Sequence, residues 1–244
     1  MERIDDLQYK GLKIIQNPEW FCFGIDSVLL TEFAKDMKKN RIIADLGTGT
    51  GIISILLSKK VEAKKIYGVE FQQDVAQMAK RSVKLNNLED KVEILNEDVG
   101  NLISLKNNTM DYVITNPPYK REGTGIISKD DKNILSRHET TVKLDRWIEV
   151  SKDLLKDNGA LYMVNRPERL NEIINLMTKY RIEPKRIRFV YPQVNKNSNL
   201  VMIKGVKYGK SFLKVEKPLI IYKEDGTYTD EILNIYKEGS KEGL

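Results

Sequence analysis

Asn116-Pro117-Pro118-Tyr119 follows the apolar run Met110-Asp111-Tyr112-Val113-Ile114-Thr115, so it falls where a buried strand ends. Two successive prolines remove two backbone donors and stiffen the chain. The segment can therefore hold one side-chain amide, one free carbonyl and one aromatic ring in a fixed array. That array suits a planar, amine-bearing group such as the exocyclic amine of adenine.

A second constellation lies upstream. Asp45-Leu46-Gly47-Thr48-Gly49-Thr50-Gly51 closes one apolar run and opens another. Alternate glycines allow a sharp turn and a close ligand approach to the backbone. The spacing is not that of a pyrophosphate-binding dinucleotide loop. Asp45 ahead of the glycines disfavours phosphate and favours a cationic or amine-bearing ligand. Glu70 ends the next apolar run, 25 residues on, where a carboxylate can accept two ribose hydroxyls. Asp98, in Asn96-Glu97-Asp98-Val99, is placed either to accept from an adenine amine or to cap a helix.

These residues need elements to position them. Arg41–Leu46, Lys65–Glu70, Val92–Leu95 and Tyr112–Thr115 read as apolar strands, with helical spacing from Ile52 and over Asp74–Leu85. A helix over Trp147–Lys156, a turn at Asn158-Gly159 and a strand over Ala160–Val164 continue the pattern. Pro167–Tyr180 reads as a helix with Pro in its first turn. Strands over Arg186–Tyr191 and Leu200–Lys204 follow, then a terminal helix over Thr229–Lys237. Strands alternating with helices predict an α/β fold: a seven-stranded, mostly parallel sheet with helices on both faces. Residues 1–40 form a lead, with a helix around Asp26–Ala34, ahead of the main domain at 41–244. The stretch after Tyr119 has little pattern and reads as a lid or substrate loop.

Composition narrows the function classes. Of 244 residues, 41% are hydrophobic and 31% charged, ample for a core. The start, Met1 to Asp6, has no apolar signal region, so a cytoplasmic protein is expected. One cysteine, Cys22, permits no internal disulfide, and with the single histidine, His138, it makes a zinc site improbable; no metal is expected. Lys179–Lys217 carries eleven Lys or Arg against two Glu, a local balance of +9 that leaves −3 for the rest of a +6 chain. A polyanionic partner or a solvated basic face would each account for it.

The ordered set Asp45, Gly47, Gly49, Gly51, Glu70 and Asp98 resembles the class I S-adenosylmethionine-dependent methyltransferases over about residues 41–205. Asn116-Pro117-Pro118-Tyr119 resembles the motif of their amino-methylating members, which act on adenine N6, guanine N2, cytosine N4 or glutamine N5. The resemblance implies a Rossmann-like fold and S-adenosyl-L-methionine as cofactor. It implies donor contacts from Asp45, Gly47, Thr48, Gly49, Gly51, Glu70, Phe71, Asp98, Val99 and Asn116. In such a site the Asn116 oxygen and the Pro117 carbonyl each accept one N–H and favour the pyramidal nitrogen that develops on attack. Pro118 stiffens the loop, and Tyr119 stacks on the base, worth about 1–3 kcal/mol.

Nearly the whole chain resembles the bacterial tRNA1(Val) adenine-N6-methyltransferase family, which modifies adenine 37 beside the anticodon. The matching segments are Leu12–Gln16, Phe23–Leu30, Arg137-His138-Glu139, Asn165–Leu170 and Glu183–Val190. By that resemblance tRNA is the partner and the lead covers the donor site. Gln16, Phe23 and Asp26 then lie near the donor's methionine part, with helix capping an equal reading for Asp26. Lys185, Arg186 and Arg188 are expected on phosphates, with Arg137 and His138 ordering the lid or touching RNA; a proton relay through His138 is the alternative. Arg166 and Arg169 face either substrate or solvent. The other readings are a guanine-N2 or glutamine-N5 methyltransferase, and a non-catalytic nucleic-acid-binding module of the same fold. Only 44 residues precede Asp45, too few for the helical domain of release-factor glutamine methyltransferases, and no large target-recognition domain is visible.

Overall fold

The computed structural model describes residues 1–20, 22–119 and 142–237. The lead forms a hairpin, β1 (Arg3–Asp6) and β2 (Lys13–Gln16), followed by helix α1 (Ile25–Phe33). The alternating region then runs β3 (Ile42–Leu46), α2 (Ile52–Lys60), β4 (Lys65–Val69), α3 (Gln73–Leu85), β5 (Val92–Leu95) and β6 (Met110–Thr115). After the undescribed segment come α4 (Leu144–Leu154), β7 (Leu155–Asn165), α5 (Leu170–Lys179), β8 (Ile182–Tyr191) and β9 (Leu200–Lys207). Two short strands, β10 (Lys214–Val215) and β11 (Leu219–Ile220), precede α6 (Asp230–Lys237).

One sheet carries the fold, in the order β5-β4-β3-β6-β7-β9-β8-β10, with β11 also paired to β8. The seven long strands are those expected, and the two-residue strands β10 and β11 extend the sheet to nine. Among its described strands only β9 runs against its neighbours. Strand order reverses at β3, with β4 on one side and β6 on the other. A crevice at the strands' C-terminal ends at such a reversal is the favoured ligand position in open α/β sheets.

Side-chain alternation divides the core. In β7, Ala160, Tyr162 and Val164 join the cluster shared with α1, α2 and the lead, while Leu161 and Met163 join the one shared with α4 and α5. Both faces of the strand are thus buried, which is why it reads as one apolar run. The lead belongs to the first cluster through Leu7, Leu12 and Ile14. It is also stitched to α3, where Lys13 N–H donates to Asn86 Oδ1 at 2.8 Å and Ile15 N–H to Ser82 Oγ at 3.0 Å.

Two boundaries differ from the sequence reading. No turn separates α4 from β7; Asn158 (φ +63°) and Gly159 form an irregularity inside the strand, where the register to β6 shifts. Strand β8 begins at Ile182 rather than Arg186, and its pairing with β9 shifts at Pro184, which has no N–H to contribute.

Candidate active site at the C-terminal ends of the central strands

The turn after β3 places Gly47, Gly49 and Gly51 at φ +70°, +56° and +92°. A Cβ on Gly47 would lie 2.8 Å from the Trp147 ring, so that glycine serves packing. A Cβ on Gly49 would meet nothing within 4 Å, so the turn presents open space there, as an approaching ligand requires. Beneath the turn Asp45 is fully buried. Its Oδ2 accepts from Thr48 Oγ1 at 2.6 Å, Ser54 Oγ at 2.8 Å and Ser54 N–H at 3.1 Å, while the buried Oδ1 has no protein partner among the described residues. Burial pushes the Asp45 carboxyl up to about 6, against the Thr48 and Ser54 bonds that favour its charge.

Glu70, just past β4, reaches across to the same turn. Its Oε2 accepts from Gly49 N–H at 3.0 Å and its Oε1 from Gln72 N–H at 2.9 Å. Burial raises the Glu70 carboxyl above its ordinary range. The amide of Asn96 donates to the carbonyls of Glu70 and Phe71, both at 2.9 Å, and leaves the Phe71 side chain about half exposed, at 47%. Asp98 caps the short turn Val99–Asn101 by accepting from Gly100 N–H at 2.8 Å through Oδ1; the residue is exposed, while Val99 is buried. The capping role of Asp98 is therefore present, and its second oxygen is not consumed by it. Open backbone at Gly49, an unsatisfied buried acceptor at Asp45 and a carboxylate at Glu70 together fit a ligand bearing an amine and vicinal hydroxyls.

Asn116 and Tyr119, beyond β6, meet the start of α1. The Asn116 amide Nδ2 donates to Asp26 Oδ2 at 3.1 Å and to Ser27 Oγ at 3.3 Å. The Tyr119 hydroxyl lies 2.6 Å from Asp26 Oδ2 and 2.7 Å from Asn116 Oδ1. Burial, then the Asp26 charge, raises the Tyr119 phenol well above its ordinary value. The exposed Arg166, past β7, sets its guanidinium 4.9 Å over the Tyr119 ring. Tyr119 is therefore turned toward Asp26, with Arg166 on a ring face that was expected to be offered to a base. Asp26 does not cap α1: Gly24 holds that position, and the Asp26 Oδ1 accepts, among the described residues, from the next N–H, that of Ser27, at 2.8 Å.

The basic stretch departs most from expectation. Arg186 binds Asp36 at 3.0 Å and the Phe33 carbonyl, and stacks 4.2 Å over the Phe33 ring. Arg188 binds Glu231 at 2.6 Å and the Lys217 carbonyl at 3.0 Å. Lys185 donates to the Lys210 carbonyl. All three are engaged within the protein, so they are not a row of free cations for phosphates. Their partners Asp36 and Glu231 lie far away in sequence, where no local pattern announces them. Arg169, buried, pairs with Glu172. Arg137 and His138 lie outside the described residues. Ser27, Ser54 and Asn96 were missed; only Ser54, in the first turn after the glycines, had a local signal.

A family model described as "methyltransferase small domain" matches residues 12–182. The chain belongs to that family. It is an S-adenosylmethionine-dependent methyltransferase. This methyltransferase is similar to the tRNA1(Val) (adenine(37)-N6)-methyltransferase of Haemophilus influenzae strain PittEE, with 23% identity over 94% of this chain and 96% of the relative. The Porphyromonas gingivalis protein of the same name is 26% identical over 75% of this chain and 73% of its own. Among solved structures, a predicted O-methyltransferase from Agrobacterium tumefaciens superposes with a TM-score of 0.70 at 22% identity, covering 87% of this chain and 95% of that one. That likeness speaks to the fold alone.

Proposed function

We propose that this methyltransferase methylates the N6 amine of an adenine in tRNA, adenine 37 in the anticodon loop of a valine tRNA. The observation that carries the assignment is the Asn116 amide, held by Asp26 and Ser27 at the end of the strand beside the glycine turn. The curated relatives named for this reaction, similar over most of the chain, support the choice of adenine and of tRNA.

Bound S-adenosylmethionine supplies an electrophilic methyl group on a sulfonium. Asp45 Oδ1 suits its amine, Glu70 its ribose hydroxyls, and Asp98, Phe71 and Val99 its adenine. Asn116 Oδ1 and the Pro117 carbonyl each accept one hydrogen of the target amine and favour the tetrahedral nitrogen of the transition state. With the donor bound, Asn116 and Pro117 would hold the amine nitrogen in line to receive its methyl group, the donor leaving as the neutral thioether. The surplus proton then leaves to solvent, so no strong base is demanded. Arg166 stands at the rim for a phosphate or the base itself. Lys210, Lys214 and Lys217 are exposed and have no carboxylate partner among the described residues, which suits them to the RNA backbone.

The test is mass spectrometry of nucleosides from purified valine tRNA incubated with the protein and labelled donor. N6-methyladenosine is the expected product; N2-methylguanosine or unlabelled RNA overturns the assignment. Asn116→Ala is expected to lower the rate at least about a hundredfold, with the donor Kd by calorimetry changed less than about threefold. Full activity in that variant would remove Asn116 from the transition state.

A further inference from the structure

The Tyr119 hydroxyl carries one hydrogen and has two acceptors in reach, Asp26 Oδ2 at 2.6 Å and Asn116 Oδ1 at 2.7 Å. It can satisfy one of them at a time. The carboxylate is the stronger acceptor, since hydrogen bonds to ionised oxygen are shorter and stronger than those to an amide. The same Asp26 oxygen also takes a hydrogen from Asn116 Nδ2 at 3.1 Å. One carboxylate oxygen thus faces both functional side chains of the Asn116–Tyr119 loop, across a sequence separation of 90 residues.

We propose that Asp26 is a positioning residue: by drawing the Tyr119 hydroxyl hydrogen onto itself and anchoring the Asn116 amide, it frees Asn116 Oδ1 to accept the target amine. The inference rests on Asn116 being the amine acceptor, as proposed above. Without Asp26 the Tyr119 hydroxyl has Asn116 Oδ1 as its remaining partner among the described residues. It then competes with the target N–H for the oxygen that stabilises the transition state. The Asn116 amide also loses one of its two anchors, leaving Ser27 Oγ at 3.3 Å to hold it. Both effects act on the chemical step and leave the donor pocket at Asp45 and Glu70 untouched.

A double-mutant cycle between Asp26 and Tyr119 tests this, because Tyr119→Phe removes the competing hydroxyl and keeps the ring. Single-turnover rates are measured on tRNA for wild type, Asp26→Ala, Tyr119→Phe and the double variant, with S-adenosylhomocysteine binding measured by calorimetry for each. Asp26→Ala is expected to slow turnover by about tenfold or more in the wild-type background, and by a factor at least about threefold smaller in the Tyr119→Phe background. Inhibitor affinity is expected to stay within about threefold throughout. Equal losses in both backgrounds, or no loss in the wild-type background, overturn the proposal. If Asp26→Ala fails to fold, the near-isosteric Asp26→Asn is put through the same cycle; its amide is a weaker acceptor for the hydroxyl, so the same sign of coupling is required. A wild-type protein that methylates a different amine leaves the cycle readable on that product. An inactive wild type instead defeats the functional assignment on which the inference rests.

Discussion

Asp45 holds its carboxylate in a fully buried site with three hydrogen bonds on one oxygen and, among the described residues, none on the other. The bonds from Thr48 and Ser54 do not fully offset the loss of water, and its pKa stands at about 6 instead of 3.8. A folded-state pKa raised by about two units corresponds to roughly 3 kcal/mol. The sign follows from proton linkage. This contribution to stability is fully present below about pH 4 and is lost as pH rises through about 6. Asp45→Asn removes the dependence, so its stability relative to wild type is expected to improve between pH 4 and 7 in urea melts. An unchanged difference across that range would show that Asp45 ionises normally. Donor affinity is expected to move the other way in wild type, weakening as pH falls below about 6, because a protonated Asp45 is a poorer acceptor for an ammonium. The place of Asp45 at a strand end before the glycines was legible in the sequence. Its anchoring by Thr48 and Ser54 is equally local, within nine residues, and was overlooked.

The glycine turn divides its work between packing and ligand approach. Gly47 and Gly49 both sit at positive φ, +70° and +56°, where an added Cβ costs about 1–2 kcal/mol of strain. Gly47→Ala also drives a methyl to within 2.8 Å of the Trp147 ring, whereas Gly49→Ala enters open space. Gly47→Ala is expected to lose about 2–4 kcal/mol of stability, read by thermal or urea melts. Gly49→Ala is expected to lose only about 1–2 kcal/mol while weakening S-adenosylhomocysteine binding at least about tenfold. Reversal of that order would place the ligand against Gly47. The strand and the helix flanking the turn, β3 and α2, were readable as unbroken apolar runs, because each is buried on more than one face. The α4–β7 junction was not: Asn158-Gly159 has the composition of a turn, but the chain passes through it as an irregularity between Leu155, paired to Met110, and Ala160, paired to Tyr112.

Across the whole molecule, part of the basic C-terminal segment is answered by acids from elsewhere. Asp36, just past α1, accepts from Lys204 at 2.6 Å, Tyr162 at 2.9 Å and Arg186 at 3.0 Å, and so ties α1 to β7, β8 and β9. Burial opposes its charge, yet Lys204, Arg186 and the Tyr162 hydroxyl hold the carboxyl below its ordinary range. Lys179 is paired with Asp145 and Arg188 with Glu231. Arg186→Ala is accordingly expected to cost about 1–3 kcal/mol of stability and to leave the salt dependence of RNA binding unchanged. Charge reversal at Lys210, Lys214 and Lys217 is expected to leave stability within about 0.5 kcal/mol, raise the RNA KM, and flatten the salt slope by about one for each phosphate no longer neutralised. Identical slopes for wild type and the triple variant would assign the RNA surface elsewhere.

What the sequence determined by itself was the succession of buried elements and the chemical types gathered at their ends: an acid before glycines, an acid after the next strand, an amide between prolines and a strand. Those are local properties, carried by residues a few positions apart. The tertiary structure decided which of them touch. It brought Asp26 to Asn116 and Tyr119, placed Arg166 over the Tyr119 ring, and spent Arg186 and Arg188 on Asp36 and Glu231. Charges pair by distance in space, and residues some 40 to 150 positions apart become neighbours only when the sheet closes its order around β3. A count of lysines and arginines along the chain therefore overstated the free charge, whereas the positions of the glycines and the strand-end carboxylates were legible because they depend on local backbone.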